Sequence, residues 1–312
     1  MGSPSSPFFH IFILSFNRAD YIQYTIESIL NQTFKNFTVT VLDNASTDQT
    51  EFVVQNYPIS FFRQKKNIGV INNFFCAAQF CQSNWLMIFH DDDLLHPEYL
   101  QYCYNAITSD PDLQFIGSNY SGTQNPSQSS WPNVHPECWY FRDQAHFASF
   151  CYTKNDIHFA SAIYRIDNFL NIEKDLSKFG KMCDRPILIE GMGKGKGKVF
   201  KYPFIQYRLH AGQDSQSPSS GPFLQEAIAL TEYYKSYMGA DWATSSGKSF
   251  IINNRAYLKG LYKWCSDRHT MSFRKFIDKA ISEGAGTPWS RIFRPIMRRL
   301  KKYYLSRDPY FF

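Results

Sequence analysis

The stretch HIFILSFNRADYIQYTIESILNQTF, His10 to Phe34, decides how the rest of the chain is read. An unbroken apolar run gives way to the polar turn Asn17-Arg18-Ala19-Asp20, after which Ile22, Ile26, Ile29 and Leu30 recur at helical spacing. That is a strand, a turn and an amphipathic helix. The apolar run is too short to cross a bilayer and has neither a basic flank nor a small-residue cleavage site, so it reads as a buried strand with no export signal. The same unit repeats downstream. FTVTVLDNASTDQTEFVVQNY (37–57) is a β-branched run, a turn rich in Asn, Ser and Asp, and a second helical segment; ISFFRQ (59–64) is a third strand, NNFFCAAQFCQ (72–82) a third helix, and WLMIFH (85–90) a buried strand. Strands alternating with helices predict an α/β fold, a mostly parallel sheet flanked by helices on both faces. In such sheets ligands bind beyond the carboxyl ends of the strands. Ser15 to Arg18, Asp43 to Asp48 and the three acids Asp91, Asp92 and Asp93 are therefore expected along one edge.

Beyond Gly117 the pattern weakens into a polar, aromatic, Pro-containing stretch up to about Asn155, read as a long surface loop or lid. Order returns with HFASAIYRID (158–167), the loop KFGKMCDRP (178–186), a helix started by Pro186, and a Gly/Lys turn leading into the strand that ends at YRLH (207–210). After SQSPSSGP the chain reads as helical to its end. The expected organisation is a disordered or tag-like segment 1–7, one domain over 8–218 with a first half at about 8–116 and a second at about 117–218, and a helical region over 219–312.

With 312 residues and 44% hydrophobic content the chain can bury a full core, which excludes disorder as its main state. Seven cysteines are scattered with no CxxC pair and no zinc spacing, as expected for reduced thiols in a cytoplasm. Charge is localised. Trp289 to Phe312 holds seven cations against the single anion Asp308, a net of +6 that equals the net charge of the whole chain. A basic tail on a neutral body argues against a nucleic-acid binder, whose positive surface would spread over the fold. On a helical projection Ile292, Phe293, Ile296, Leu300, Tyr303 and Tyr304 share one face, and Arg291, Arg294, Arg298, Lys301 and Lys302 the other. This layout suits either an amphipathic helix on an anionic membrane or a helix packed on the domain with a solvated basic face.

Three consecutive acids after an apolar strand repel one another unless solvated or bound to a cation. A carboxylate loop with open positions suits Mn²⁺ or Mg²⁺ shared with substrate phosphates; a charged helix start is the alternative. Five ordered pieces, ILSFNRADYIQYTIESILNQTF, VLDNASTD, NIGVINNF, FHDDDLLHPEYL and YRLHAGQDS, together resemble a family 2 glycosyltransferase with the GT-A fold, a Rossmann-like nucleotide-sugar-binding domain, over residues 9 to about 217.

The resemblance implies roles for individual residues. Asp43 matches the acid that accepts a hydrogen bond from the nucleotide base. Ser15, Phe16, Asn17 and Arg18 fall where base and ribose pack, and Asn67, Gly69 and Asn73 belong to a turn and helix start beside the nucleotide. Asp91 to Asp93 match the DxD region, with His90 in the place of the usual first acid. This leaves two frames, of which Asp92 and Asp93 as metal ligands and Asp91 nearer the ribose is preferred. His210 matches a histidine that closes over metal and diphosphate, and Arg208 is expected to pair with phosphate or a site carboxylate. Asp184 matches the general base, with Cys183 where a partner acid often stands; a helix cap is the other reading of Asp184, and Glu190 a distant substitute. Trp131, Trp139 and Tyr140 are candidate acceptor contacts. The implied activity is inverting, metal-dependent sugar transfer from a nucleotide-diphosphate donor, UDP-linked by expectation, to a hydroxyl of a surface glycan or lipid-linked glycan. The implied location is cytoplasmic, peripheral on the inner face of the membrane through the basic tail. A sugar nucleotidyltransferase would want a Gly-rich triphosphate loop that SFNRADY lacks. A non-catalytic relative is the other rival.

Overall fold

The computed structural model describes residues 6–124, 131, 133–134, 137–153, 157–210, 213 and 223–238. The first half follows the predicted alternation: β1 (Phe9–Ser15), α1 (Ala19–Leu30), β2 (Phe37–Asp43), α2 (Thr50–Val54), β3 (Ser60–Arg63), α3 (Val70–Phe80) and β4 (Trp85–His90). A two-residue β5 (Leu94–Leu95) leads into α4 (Tyr99–Ser109), β6 (Leu113–Thr123), β7 (Cys138–Phe141) and α5 (Gln144–Thr153). The chain continues through β8 (Ile163–Arg165), α6 (Ile166–Leu170), α7 (Asp184–Gly191), β9 (Lys196–Arg208) and α8 (Phe223–Met238).

The strands form one sheet in the order β3-β2-β1-β4-β8-β6-β9-β5, with β7 on the other part of β9. The four strands from β3 to β4 are parallel, as are β6 and β9; β8 runs antiparallel between β4 and β6. In β1 the period-2 alternation sends Phe9, Ile11 and Ile13 to one face and Phe12 to the other; in β4 Trp85, Met87 and Phe89 oppose Leu86 and Ile88. One face is covered by α1 and α4 through Ile22, Ile26, Ile29, Leu100 and Cys103. The other is covered by α3, α5, α7 and α8 through Phe74, Phe147, Leu188 and Leu230. A sheet buried on both faces explains why the early strands are continuous apolar runs.

The expected loop over residues 117–155 is corrected. β6 runs to Thr123, and Phe141, Phe147, Phe150 and Cys151 of β7 and α5 are buried in the core. β6 escaped the reading because its pairing with β9 lies far along the chain and its register shifts at Ser118 and Asn119, which breaks the alternation. The six cysteines among the described residues are free. No helix among those residues is long and apolar enough to cross a membrane. The boundary near Ser219 and the basic amphipathic tail lie outside the described residues; α8 is the described part of the expected helical region.

Gly191 ends α7 with a Cβ position 2.4 Å from two carbons of the buried Tyr164 ring. Gly191→Ala therefore forces the ring or the helix to shift and should destabilise the fold by about 1–3 kcal/mol in urea titration. His10 is buried in β1: one ring nitrogen lies 2.9 Å from Thr40 Oγ1, and the other accepts from the Gln82 amide at 3.1 Å. Burial pushes its pKa down from 6.5 to about 4. The unfolded chain thus takes up this proton first as pH falls, so stability declines from about pH 6.5 toward pH 4, by at most about 1.4 kcal/mol per pH unit for this group. His10→Gln should flatten that slope; an unchanged slope between pH 7 and 5 would exclude His10 as its source.

Candidate active site

The loops after β1, β2 and β4 meet at one edge of the sheet, as the alternation predicted. Asn17 takes a left-handed backbone (φ 54°), which asparagine tolerates, and its amide donates to Ser46 Oγ at 2.8 Å while its side chain accepts from the Thr47 amide at 2.7 Å. The Arg18 and Ala19 amides donate to Thr50 Oγ1 and Asp48 Oδ2, both at 3.0 Å. The β1 loop is thereby buttoned onto the β2 loop, leaving Phe16 40% exposed at the rim. Asp43 is fully buried: it accepts from the Ser46 amide at 2.9 Å and the Ser46 hydroxyl, and faces Arg63 Nε at 3.6 Å. Asn44 clasps the next loop, donating to Asn67 Oδ1 at 3.0 Å and accepting from the Ile68 amide at 2.9 Å. Gly69 is required by its positive φ of 82°, with open space in front of it. Asn73 is buried and donates to the Leu42 carbonyl at 2.9 Å, so it holds α3 to β2.

The three acids escape mutual repulsion by facing different partners. Asp91 is nearly buried beside Ser15, accepts from the Phe16 amide at 3.1 Å and lies 3.7 Å from Arg18 Nε. Burial, then the charge of Asp92, push its pKa up to about 7, with Arg18 pulling the other way. Asp92 lies 3.6 Å from Arg18 Nε on one side and 3.1 Å from His210 Nε2 on the other. Asp93 is fully buried and turns inward, with Oδ2 at 3.2 Å from His90 Nδ1 and 3.6 Å from His158 Nε2, and Oδ1 accepting from the Arg208 amide at 3.3 Å. Burial opposes its charge, but His90 and the Arg208 amide hold its pKa below the usual carboxylate range. Burial likewise opposes the charge on His90, yet Asp93 and the neighbouring acids raise its pKa to about 9. Burial keeps His158 neutral, with a pKa near 4.

Arg208 lies behind the acids and not in front of them. It is 1% exposed; Nε donates to the Asp92 carbonyl, and a terminal nitrogen donates to Tyr21 O at 3.1 Å and Thr25 Oγ1 at 2.7 Å. Thr25 in turn donates to the carbonyls of Asp91 and Asp93 at 3.0 and 2.9 Å. His210 stacks on Tyr21 with ring centroids 4.2 Å apart. Thr25, Ser46, Arg63 and His158 were not singled out in the sequence. Thr25 left a signal, a polar residue on the buried stripe of α1; the others became legible only through partners far along the chain.

On the second half of the edge, Asp184 opens α7 with its side chain 31% exposed and Arg185 Nε 3.4 Å from its carboxylate. Glu190, at the far end of α7, accepts from the Glu173 amide at 2.7 Å and from the Tyr233 hydroxyl at 3.2 Å. These partners give Glu190 a structural place away from the acids. Two of the three aromatic candidates also lie elsewhere. Trp139 and Tyr140 pair with Val199 and Lys198 of β9, nine and ten residues before Arg208, roughly 30 Å along the strand. Trp131 packs edge-on against His96 with centroids 4.9 Å apart. Strand register, invisible in the sequence, carried Trp139 and Tyr140 away from the acids.

Asp92 and His210 fit a divalent ion: two ligands of an octahedral centre at about 2.1 Å stand about 3 Å apart, and these side chains are 3.1 Å apart. The sequence model of the family described as Glycosyl transferase family 2 matches residues 10–170. The abequosyltransferase RfbV of Salmonella typhimurium is 26% identical over 241 residues, covering 72% of each chain. A chondroitin synthase of Escherichia coli is 31% identical over 114 residues, 35% of this chain and 17% of that protein. Among solved structures, S. aureus TarS 1–349 in complex with UDP-GlcNAc superposes with a TM-score of 0.59 at 16% identity, covering 83% of this chain and 79% of that one, and shows the same fold. The family match spans more than half of the 312 residues, including the loops just described, and with it the chain belongs to glycosyl transferase family 2 and is a glycosyltransferase.

Proposed function

We propose that the protein is an inverting, Mn²⁺- or Mg²⁺-dependent glycosyltransferase that moves a sugar from a UDP-linked donor to a hydroxyl of a growing cell-surface glycan. The observation that carries this reading is the Asp92–His210 pair, 3.1 Å apart, with Arg18 of the loop after β1 3.6 Å from Asp92. The relatives support the substrate class: they include an abequosyltransferase and a chondroitin synthase, and the TarS structure was solved with UDP-GlcNAc.

Asp43, with two hydrogen bonds from Ser46, keeps acceptor capacity that a uracil N3–H would use. Phe16 covers the base, and Asn17 and Asp91 border the ribose. Asp92 and His210 hold the divalent ion, which when bound supplies Lewis-acid neutralisation of the charge left on the departing diphosphate. Arg18, 3.6 Å from Asp92, adds a fixed positive charge beside that diphosphate. Asp184 takes the proton of the attacking hydroxyl, so that one displacement inverts the anomeric carbon. Arg185 Nε lies 3.4 Å from this carboxylate and orients it. The basic tail, outside the described residues, would keep the enzyme near a lipid-linked acceptor at the inner face of the membrane.

Calorimetry with UDP, GDP and dTDP, each with and without Mn²⁺, should show metal-dependent binding of UDP that Asp92→Ala abolishes; equal binding of UDP by Asp92→Ala would remove this residue from the ion site. Asp184→Asn should lower kcat by about 10²–10⁴-fold with UDP affinity unchanged, as measured by donor turnover. A variant retaining full turnover would move the base elsewhere.

A further inference from the structure

We propose that His90, Asp93 and His158 form a second cation site, one for a nitrogen-preferring ion of the Zn²⁺ class, distinct from the ion shared by Asp92, His210 and the diphosphate. Their ligand atoms all lie within 4.8 Å of one another, with Asp93 Oδ2 at 3.2 Å from His90 Nδ1 and 3.6 Å from His158 Nε2. Ligands about 2.1 Å from a tetrahedral centre stand about 3.4 Å apart, so two edges of the triangle already have the required length. The third, between the two imidazoles, is no longer than 4.8 Å.

His158 supplies an independent observation. It is 8% exposed, its Nδ1 has no hydrogen-bond partner among the described residues, and its Nε2 stands beyond hydrogen-bond reach of Asp93. Nε2 is the ring atom that faces Asp93, and at 3.6 Å it makes no hydrogen bond there, so an ion or a water at the centre of the three groups would give this atom its partner. Two imidazoles and one carboxylate are a donor set for Zn²⁺ and its transition-metal neighbours, whereas Mg²⁺ prefers oxygen alone. The ligands come from the end of β4 and from the turn before β8. An ion here would therefore clamp the two halves of the domain behind the acids, and its place is structural.

Titration of the full chain with Co²⁺ in the absence of nucleotide tests this. The expected result is the visible d–d absorption of four-coordinate Co²⁺, displaced by Zn²⁺ and not by Mg²⁺. Binding should weaken roughly 10- to 100-fold in His158→Asn and in His90→Gln and stay unchanged in His210→Gln. The half-exposed His90 guards against a folding defect in the His158 variant, and circular dichroism checks both. Absence of the band in the wild type, as a bridging water alone would give, overturns the proposal. So does a band lost in His210→Gln and kept in His158→Asn. Because no nucleotide is present, failure of UDP binding leaves this result intact, and each reading can fail alone.

Discussion

The site depends on a buried arginine. Arg208 ends β9 with its guanidinium in the interior, donating to the Asp92 carbonyl, to Tyr21 and to Thr25, while its own amide holds the Asp93 carboxylate. One residue thus fixes the acidic loop, the first turns of α1 and the last strand at a single point. A buried cation is tolerable only because the backbone carbonyls and the acids around it replace the water it has lost. Thr25 extends the same arrangement by donating to two carbonyls of the acidic loop. The direction each acid faces follows: with Asp93 drawn inward and Asp91 tied to the Phe16 amide, Asp92 is left facing His210.

This division of labour resolves the electrostatic problem of three adjacent carboxylates. Each has its own compensation, Arg18 and an amide for Asp91, Arg18 and His210 for Asp92, and His90 with the Arg208 amide for Asp93. His90, where the family pattern has an acid, lowers the negative charge of the loop and balances the most deeply buried carboxylate. Its presence is therefore consistent with a working site and does not require loss of one.

The loops after β1 and β2 are held to one another by local devices, and α7 is held by contacts far along the chain. Asn17, Ser46, Asp48 and Thr50 join loops that follow neighbouring parallel strands, and each contact replaces hydrogen bonds to water with fixed ones. The helix α7 is held by α8 instead: Tyr233 packs on Phe179 just before α7, with centroids 5.4 Å apart, and its hydroxyl lies 3.5 Å from the Pro186 carbonyl and 3.2 Å from Glu190. The described part of the C-terminal helical region thus backs the helix that carries Asp184.

The sequence by itself determined the parallel half of the sheet, the three loops at its edge and the family, because strand and helix periods and turn residues are local properties that survive without partners. It also placed the last strand and the acids in the right order. Only the tertiary structure decided which acid faces outward, since that depends on Arg208, more than a hundred residues from the acids. It alone moved Trp139 and Tyr140 to the far end of β9, turned the expected lid into β6, β7 and α5, and brought His158 to Asp93. Register, burial and cross-chain pairing govern these outcomes, and none of them has a period that can be read along the chain.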